Sequence, residues 1–253
     1  MSETENFKFI PGQGHCALHR EDLSPIFLFR GGAKGTRPPP FRKNTAPQPN
    51  AVILGGKPIP MAYHDEDLFD ILNPDGSRTG LTKARGLVHK DGDLHGASHT
   101  YITRLHQGHI QILLQKRSQT KDSFPGCLDT SSAGHLDAGE DFDAAARREL
   151  KEELGVDAMP TYLFTRHMEY EEIFHGKRFH DHELIHVYFL DLYQPAEAFA
   201  IETCELDAVL WMDLTDIQRA LAQNDDRFCL VPEEINRLTA YLYSFYATDA
   251  SCR

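Results

Sequence analysis

GHLDAGEDFDAAARRELKEELGV, residues 134–156, decides both the fold and most of the chemistry. Gly134 is followed after five residues by Glu140. Seven residues later come Arg148, Glu149 and Leu150, then Glu152, Glu153, Gly155 and Val156. From Asp141 to Leu154 there is no Gly or Pro, good helix formers dominate, and acidic residues in the first turn complement the helix dipole. Gly155 supplies the stop. Residues three and four apart lie over one another on a helix, so Glu149, Glu152 and Glu153 share one narrow arc. Ala146, Leu150 and Leu154, spaced by four, make a neighbouring stripe that can dock on a core. Three carboxylates on one face repel each other. A hard divalent cation removes that conflict, because oxygen ligands are what magnesium prefers.

An acidic helix is most often just a solvated face. The complete set of spaced positions here argues otherwise, and it resembles the box of the Nudix hydrolases, enzymes that cleave a diphosphate linked to another moiety. The resemblance implies an α/β fold, a mixed β-sheet sandwiched between α-helices, with the box as loop–helix–loop. It also implies Mg2+ or Mn2+ held by Glu152 and Glu153, with Glu149 adjacent and a box-loop carbonyl near Ala133–Gly134. Glu149 is the candidate to orient or deprotonate the attacking water. Arg148 pairs with a box glutamate or contacts phosphate, and Glu140 sits at the loop-to-helix junction.

The remaining numbers are compatible with such an enzyme. The chain has 253 residues, 41% hydrophobic and 25% charged, ordinary for a soluble globular protein with one sizeable core. Its net charge of −12 argues against nucleic acid or an anionic membrane as partner, and leaves a small organic diphosphate as the expected one. Five cysteines, at 16, 127, 204, 229 and 252, form no C-x-x-C pair and fit reduced thiols in the cytoplasm. The polar start MSETENFK is no secretory signal, and no run of 18 apolar residues exists. A homo-oligomer is compatible with these features and not specified by them.

Residues 1–62 read as an N-terminal arm, rich in Pro and Gly from Gly31 to Pro60, with one short apolar run at Ile26–Phe29. Residues 63–253 read as the catalytic domain. Strands are expected at Leu68–Leu72, His99–Leu105, Ile110–Lys116, Tyr162–Glu169, Leu184–Leu192 and Val209–Met212, where β-branched, aromatic or Leu residues gather. Besides the box helix, helices are expected at Leu214–Gln223 and Pro232–Tyr246.

Flanking segments, among them LVHKDGDLHGASHTYI, LLQKRSQTKDSFPG and LDTSSAGHLDAGED, resemble the branch of Nudix proteins related to isopentenyl diphosphate isomerase. In those isomerases a cysteine precedes the Gly-His pair that is Gly134–His135 here, and it moves a proton to carbon. This chain has Ala133 there, which has neither acid nor base to offer, so the resemblance favours hydrolysis over isomerisation. A non-catalytic sensor on the same fold would be expected to lose box glutamates, and all are present. By the same resemblance His89, His95, His135, Asp181 and Glu183 correspond to a metal set, Arg117 and Lys121 to diphosphate contacts, and Tyr170 to a catalytic tyrosine region. The His89–His95 spacing is off by one, and Asp181 stands for a glutamate. The expected use of this set is therefore as polar groups lining the pocket, with His135 toward substrate and Glu183 as the member that reaches the catalytic metal. A residual zinc- or manganese-type site is the alternative.

Overall fold

Successive residues of the central strands are buried in opposite directions. Tyr101 packs with Ile112, Leu114, Ile185 and Val187 into one core, whereas Ile102 and Leu113 face a second core with Leu150 and Leu154. The two-residue period of a strand requires this whenever both faces are covered. These packings come from a computed structural model of the protein, which describes residues 67–250 except 122 and 175.

The elements run β1 Leu68–Leu72, β2 Arg78–Ala84, α1 Arg85–Asp91, β3 His95–His106, β4 His109–Arg117, β5 Leu128–Asp129 and β6 Ser132–His135. They continue with α2 Phe142–Leu154, β7 Thr161–Phe174, β8 Lys177–Asp191, β9 Leu206–Asp213, α3 Leu214–Ala222 and α4 Pro232–Ala250. Seven strands form one sheet in the order β5-β4-β3-β8-β7, with β6 paired to β3 and β9 to β4. The β3–β8 pair is parallel and the other pairs are antiparallel. Helix α2 covers one face, through Leu150 and Leu154. Helices α3 and α4 cover the other, through Leu214, Ile217, Ile235, Leu238 and Leu242. This is the mixed sheet between helices expected from the sequence. A separate hairpin, β1–β2, carries Phe69 and Ile71 against Val88 of α1.

Helix α2 begins and ends where its sequence says. Asp141 caps it, its side chain accepting from the Ala144 N–H at 2.8 Å. Gly155 closes it in the left-handed region at φ 68°. The Gly155 N–H donates to Lys151 O at 3.1 Å, and the Val156 N–H to Leu150 O at 3.0 Å. Ala146, Leu150 and Leu154 are fully buried, so the stripe spaced by four is the docking face.

Four elements were not expected: β2, α1, β5 and β6. RTGLTKA of β2 is largely exposed and shows no apolar alternation, while β5 and β6 are too short to carry a period. The β7–β8 hairpin is longer than expected, because its ladder continues outward through Tyr170↔Asp181 to Phe174↔Lys177. HGKRFHDHELIH is therefore almost all strand, and His180, His182 and His186 are half-buried. The arm at residues 1–62, the Ile26–Phe29 run, Cys16 and Cys252 lie outside the described residues. Among the described residues, no helix is long and apolar enough to cross a membrane.

Candidate metal-dependent active site

Strand β6 places the box glutamates. Its Gly134 faces α2 so closely that a Cβ there would lie 2.0 Å from Glu149 Oε1. Only glycine leaves room for the carboxylate. One residue earlier, the Ala133 N–H donates to Glu153 Oε2 at 3.2 Å. The Glu153 residue is 5% exposed and the Glu149 side chain 15%, whereas the Glu152 side chain is 59% exposed. The inward pair is thus Glu149 and Glu153, with Glu152 on the solvent edge of the arc. This differs from the expectation that Glu152 and Glu153 would form the central pair.

Burial and mutual charge set the electrostatics of that pair. Burial raises the Glu149 carboxyl above its ordinary range, opposed by the adjacent Arg148. Burial and the charge of Glu149 push Glu153 up to about 8, opposed by the charge of Lys121 and the hydrogen bond from the Ala133 N–H. Two adjacent buried carboxyls of raised proton affinity fit a divalent cation, which would neutralise both.

Arg148 holds this assembly with all five of its N–H donors. Nε and Nη2 donate to the two oxygens of Glu140 at 3.0 and 2.9 Å. Nη1 donates to Glu149 Oε1 at 2.8 Å and Glu152 Oε2 at 3.1 Å. The second Nη2 bond goes to His135 O at 3.0 Å. No donor remains for a phosphate in this arrangement. Gly155, the last box residue, is the helix cap described above.

The expected diphosphate contacts, Arg117 and Lys121, are also engaged. Arg117 Nη1 bonds Asp129 Oδ2 at 3.0 Å, and its other nitrogens bond Ser123. Lys121 pairs with Glu205. Burial and the charge of Arg117 bring the Lys121 ammonium down to about 8, while the charges of Glu153 and Glu149 pull the other way.

On the opposite side of β6 the structure gathers a second set. His135 follows Gly134, so its side chain turns away from α2. It meets His89 from α1, His95 from β3, and Asp181 and Glu183 from β8. Asp181 and Glu183 alternate along β8 and share a face. One donor atom each from His89, His95, His135 and Asp181 lie within 4.8 Å of one another. Nε2 of all three histidines and Oδ1 of Asp181 are buried without a hydrogen-bond partner among the described residues. His135 Nε2 approaches Glu183 Oε1 at 3.0 Å, off hydrogen-bond alignment, and Asp181 Oδ1 is 3.6 Å from both His89 and His95 Nε2.

The imidazoles are held neutral. Burial lowers His89 to about 2 and His135 to about 4, and lowers His95 as well. His95 Nδ1 lies 3.0 Å from Asp93 O, a contact that needs a proton on Nδ1 and leaves the Nε2 lone pair pointing into the cluster. Burial opposes ionisation of Glu183, but the approach of His135 Nε2 to its carboxylate brings it down to about 2. Asp181 is raised by burial and the charge of Glu183, and bonds Tyr170. Neutral imidazoles with unused lone pairs beside carboxylates make a donor set that suits zinc or manganese.

Several residues near this set carried no signal in the sequence. Phe69 stacks on His95 and His135, and Phe179 on His89. Arg85 places its charge toward His89, His95, His135 and Asp181. Its position four residues before His89 would have marked it, had α1 been read as a helix.

A NUDIX domain model matches residues 96–230, more than half of the chain. The chain belongs to the NUDIX family. Nudix hydrolase 3 of Arabidopsis thaliana is 38% identical over 175 residues, which cover 68% of this chain but only 22% of that protein's length. An uncharacterized Nudix hydrolase of Clostridium acetobutylicum is 31% identical over 162 residues, 64% of this chain and 77% of the relative. Among solved structures, DR0079 of Deinococcus radiodurans aligns at a TM-score of 0.49 with 19% identity, covering 62% of this chain and 90% of that one.

Proposed function

We propose that this NUDIX protein hydrolyses a diphosphate linkage in a small organic substrate, using Mg2+ or Mn2+ at the box. The observation that carries the reading is the buried Glu149–Glu153 pair under Gly134, whose raised proton affinities call for a cation. Glu149, Glu152 and Glu153 would hold the ion. When bound, it supplies charge neutralisation at the phosphate oxygens and a more acidic water.

The residues of the chain do the rest. Glu149, restrained by Arg148 on one side and Gly134 on the other, orients the attacking water and takes its proton. Arg148 acts as a positioning residue, since its donors are committed to Glu140, Glu149, Glu152 and His135 O. Lys121 is the better candidate for phosphate, with Arg117 fixing its loop through Asp129 and Ser123.

The unpartnered donors of His89, His95, His135 and Asp181 support a bound metal there rather than a merely polar pocket wall. Their presence beside Tyr170 also keeps an isomerase of isoprenoid diphosphates as the second reading. Ala133 weighs against it, because a methyl group cannot deliver a proton to carbon.

The test is a phosphate-release screen over nucleotide sugars, dinucleoside polyphosphates, coenzyme A, oxidised nucleotides and isoprenoid diphosphates, with magnesium and with manganese. Hydrolysis that needs the added cation and is lost in Glu153→Gln supports the reading. Turnover of isopentenyl diphosphate to its isomer without phosphate release would replace it. Metal content of His135→Ala and Glu183→Gln, measured beside activity, decides the second set: zinc or manganese lost in both supports a metal centre, and unchanged content with weaker hydrolysis returns it to the pocket wall.

A further inference from the structure

Cys127 and Cys229, far apart in sequence, meet where the chain entering β5 crosses the segment before α4. The Leu128 N–H donates to Arg227 O at 2.7 Å, the Cys229 N–H donates to Leu128 O at 3.0 Å, and Leu128 and Phe228 form a parallel bridge. Residues flanking such a bridge turn to its same side, so the two thiols face the same way beside it, close enough for each to act on the other's proton affinity. Cys127 Sγ also lies 3.8 Å from Asp226 O, and Cys229 Sγ 3.5 Å from Leu128 O. Both residues are half-buried, so a small reagent can reach the pair.

We propose that Cys127 and Cys229 are a modification site, oxidised to an intramolecular disulfide by exchange with a small disulfide of the glutathione type. The Cys127 thiolate attacks one sulfur of the reagent, forming a mixed disulfide and releasing one thiolate. Cys229, after giving up its proton, attacks the Cys127 sulfur and releases the second. The pair loses two electrons and two protons, and the reagent becomes two thiols. The division of roles follows the surroundings. The hydrogen bond from Cys229 lowers Cys127 to about 7, with burial opposing and the charge of Arg117 assisting against Asp129 and Asp226. Cys229 is raised by the same hydrogen bond and by burial. Cys127 is therefore the attacking thiol and Cys229 the resolving one.

The bond would act on a functional loop. The Arg117 N–H donates to Cys127 O at 2.9 Å, and the Gly126 N–H to Arg117 O at 3.1 Å, so Cys127 sits at the neck of the loop that carries Lys121 and Phe124. Tying that neck to the start of α4 fixes the loop on the sheet without touching the box glutamates.

The full chain, titrated with oxidised glutathione and then capped, is read by intact mass and peptide mapping. The expected product has lost the mass of two hydrogens, joins the peptides of Cys127 and Cys229, reverts with dithiothreitol, and melts at least about 4 °C higher, because a loop of roughly a hundred residues is closed in the unfolded state. Cys229→Ser should instead trap a glutathione adduct on Cys127, and Cys204→Ser should leave the reaction unchanged. A persistent adduct on Cys127 in the unsubstituted chain, a bridge through Cys16, Cys204 or Cys252, or no reaction at all would overturn the proposal. So would a Cys229→Ser chain that takes up no glutathione.

Discussion

Replacing Gly134 with alanine adds one methyl group and tests whether the Glu149 carboxylate is where the chemistry happens. The new Cβ would stand 2.0 Å from Glu149 Oε1, 2.1 Å from Cδ and 2.7 Å from Oε2. All three atoms belong to the far end of a flexible side chain. Gly134 is not among the residues with positive φ, so alanine meets no backbone strain there. The carboxylate gives way, and the backbone stays. Overpacking that a rotamer change relieves costs about 1–2 kcal/mol, part of it the Arg148–Glu149 bond. For a domain of this size that is a loss of roughly 3–6 °C in Tm.

Catalysis should suffer far more. A reacting group displaced by about 1 Å commonly costs on the order of a hundredfold, and here the carboxylate must move by more than that. The expected result is a fall of at least about 100-fold in kcat with KM for the best substrate within about threefold. Stability comes from thermal melts and rates from phosphate release at saturating magnesium. Activity within threefold of the unsubstituted protein would refute the placement of Glu149 at the reacting centre. A Tm loss beyond about 10 °C would show instead that β6 or α2 moved as a whole.

Glu153→Gln should lower kcat by at least about 100-fold while leaving the metal-free Tm within about 3 °C, because a carboxyl raised to about 8 is protonated at neutral pH and glutamine mimics it; Glu152→Gln, on the exposed edge, should have the smaller effect on metal affinity by calorimetry. Glu234 is buried between Arg166, His99 and Tyr101, and Glu234→Gln should cost about 3 kcal/mol and roughly 6–12 °C in Tm, since it leaves the Arg166 charge unpaired. Burial would raise the Glu234 carboxyl, but the charges and hydrogen bonds of those partners hold it well below its ordinary 4.5. Its contribution is therefore present above the ordinary carboxylate range and lost as pH falls below it, and urea melts between pH 7 and 3 should flatten in the glutamine variant. A chain beginning at Tyr63 should remain soluble and hydrolyse the best substrate within about threefold of the full-length rate; insolubility, or activity lost while metal still binds, would assign residues 1–62 to the domain or its site.

Much of the fold was legible because the signals were local. Asp141 as cap, Gly155 as stop and the Ala146–Leu150–Leu154 stripe all act within α2 itself, and the β-branched, aromatic and Leu residues gathered in β3, β4 and β8 mark them as strands. What was not legible depends on distant partners. Three carboxylates in one arc do not say which edge of the arc meets the sheet. Glu149 and Glu153 are about 40° apart around the helix and Glu152 lies on the far side of Glu149, so the inward pair is set only once β6 docks. Arg117 reads as a free phosphate ligand until the loop closes and brings Asp129 and Ser123 onto it. Glu234 reads as an acidic first turn until α4 lays it against His99, Tyr101 and Arg166.

Strand β6 was the least readable element and has the largest consequences. Its four residues, Ser132 to His135, carry no apolar signal, and they form a strand because β3 offers them a ladder from Thr100 to Ala97. Strand alternation then divides the site. Gly134 turns toward α2 and makes room for Glu149, while Ala133 and His135 turn to the face of His95, Asp181 and Glu183. Ala133 serves the box only through its backbone N–H, which any residue at that position would also offer. Its side chain belongs to the histidine face. A cysteine at 133, the residue that the isomerase resemblance would place there, would point to the histidine face and away from Glu149. The box glutamates and the histidine set thus lie on opposite faces of one short strand, where single substitutions address either set by itself.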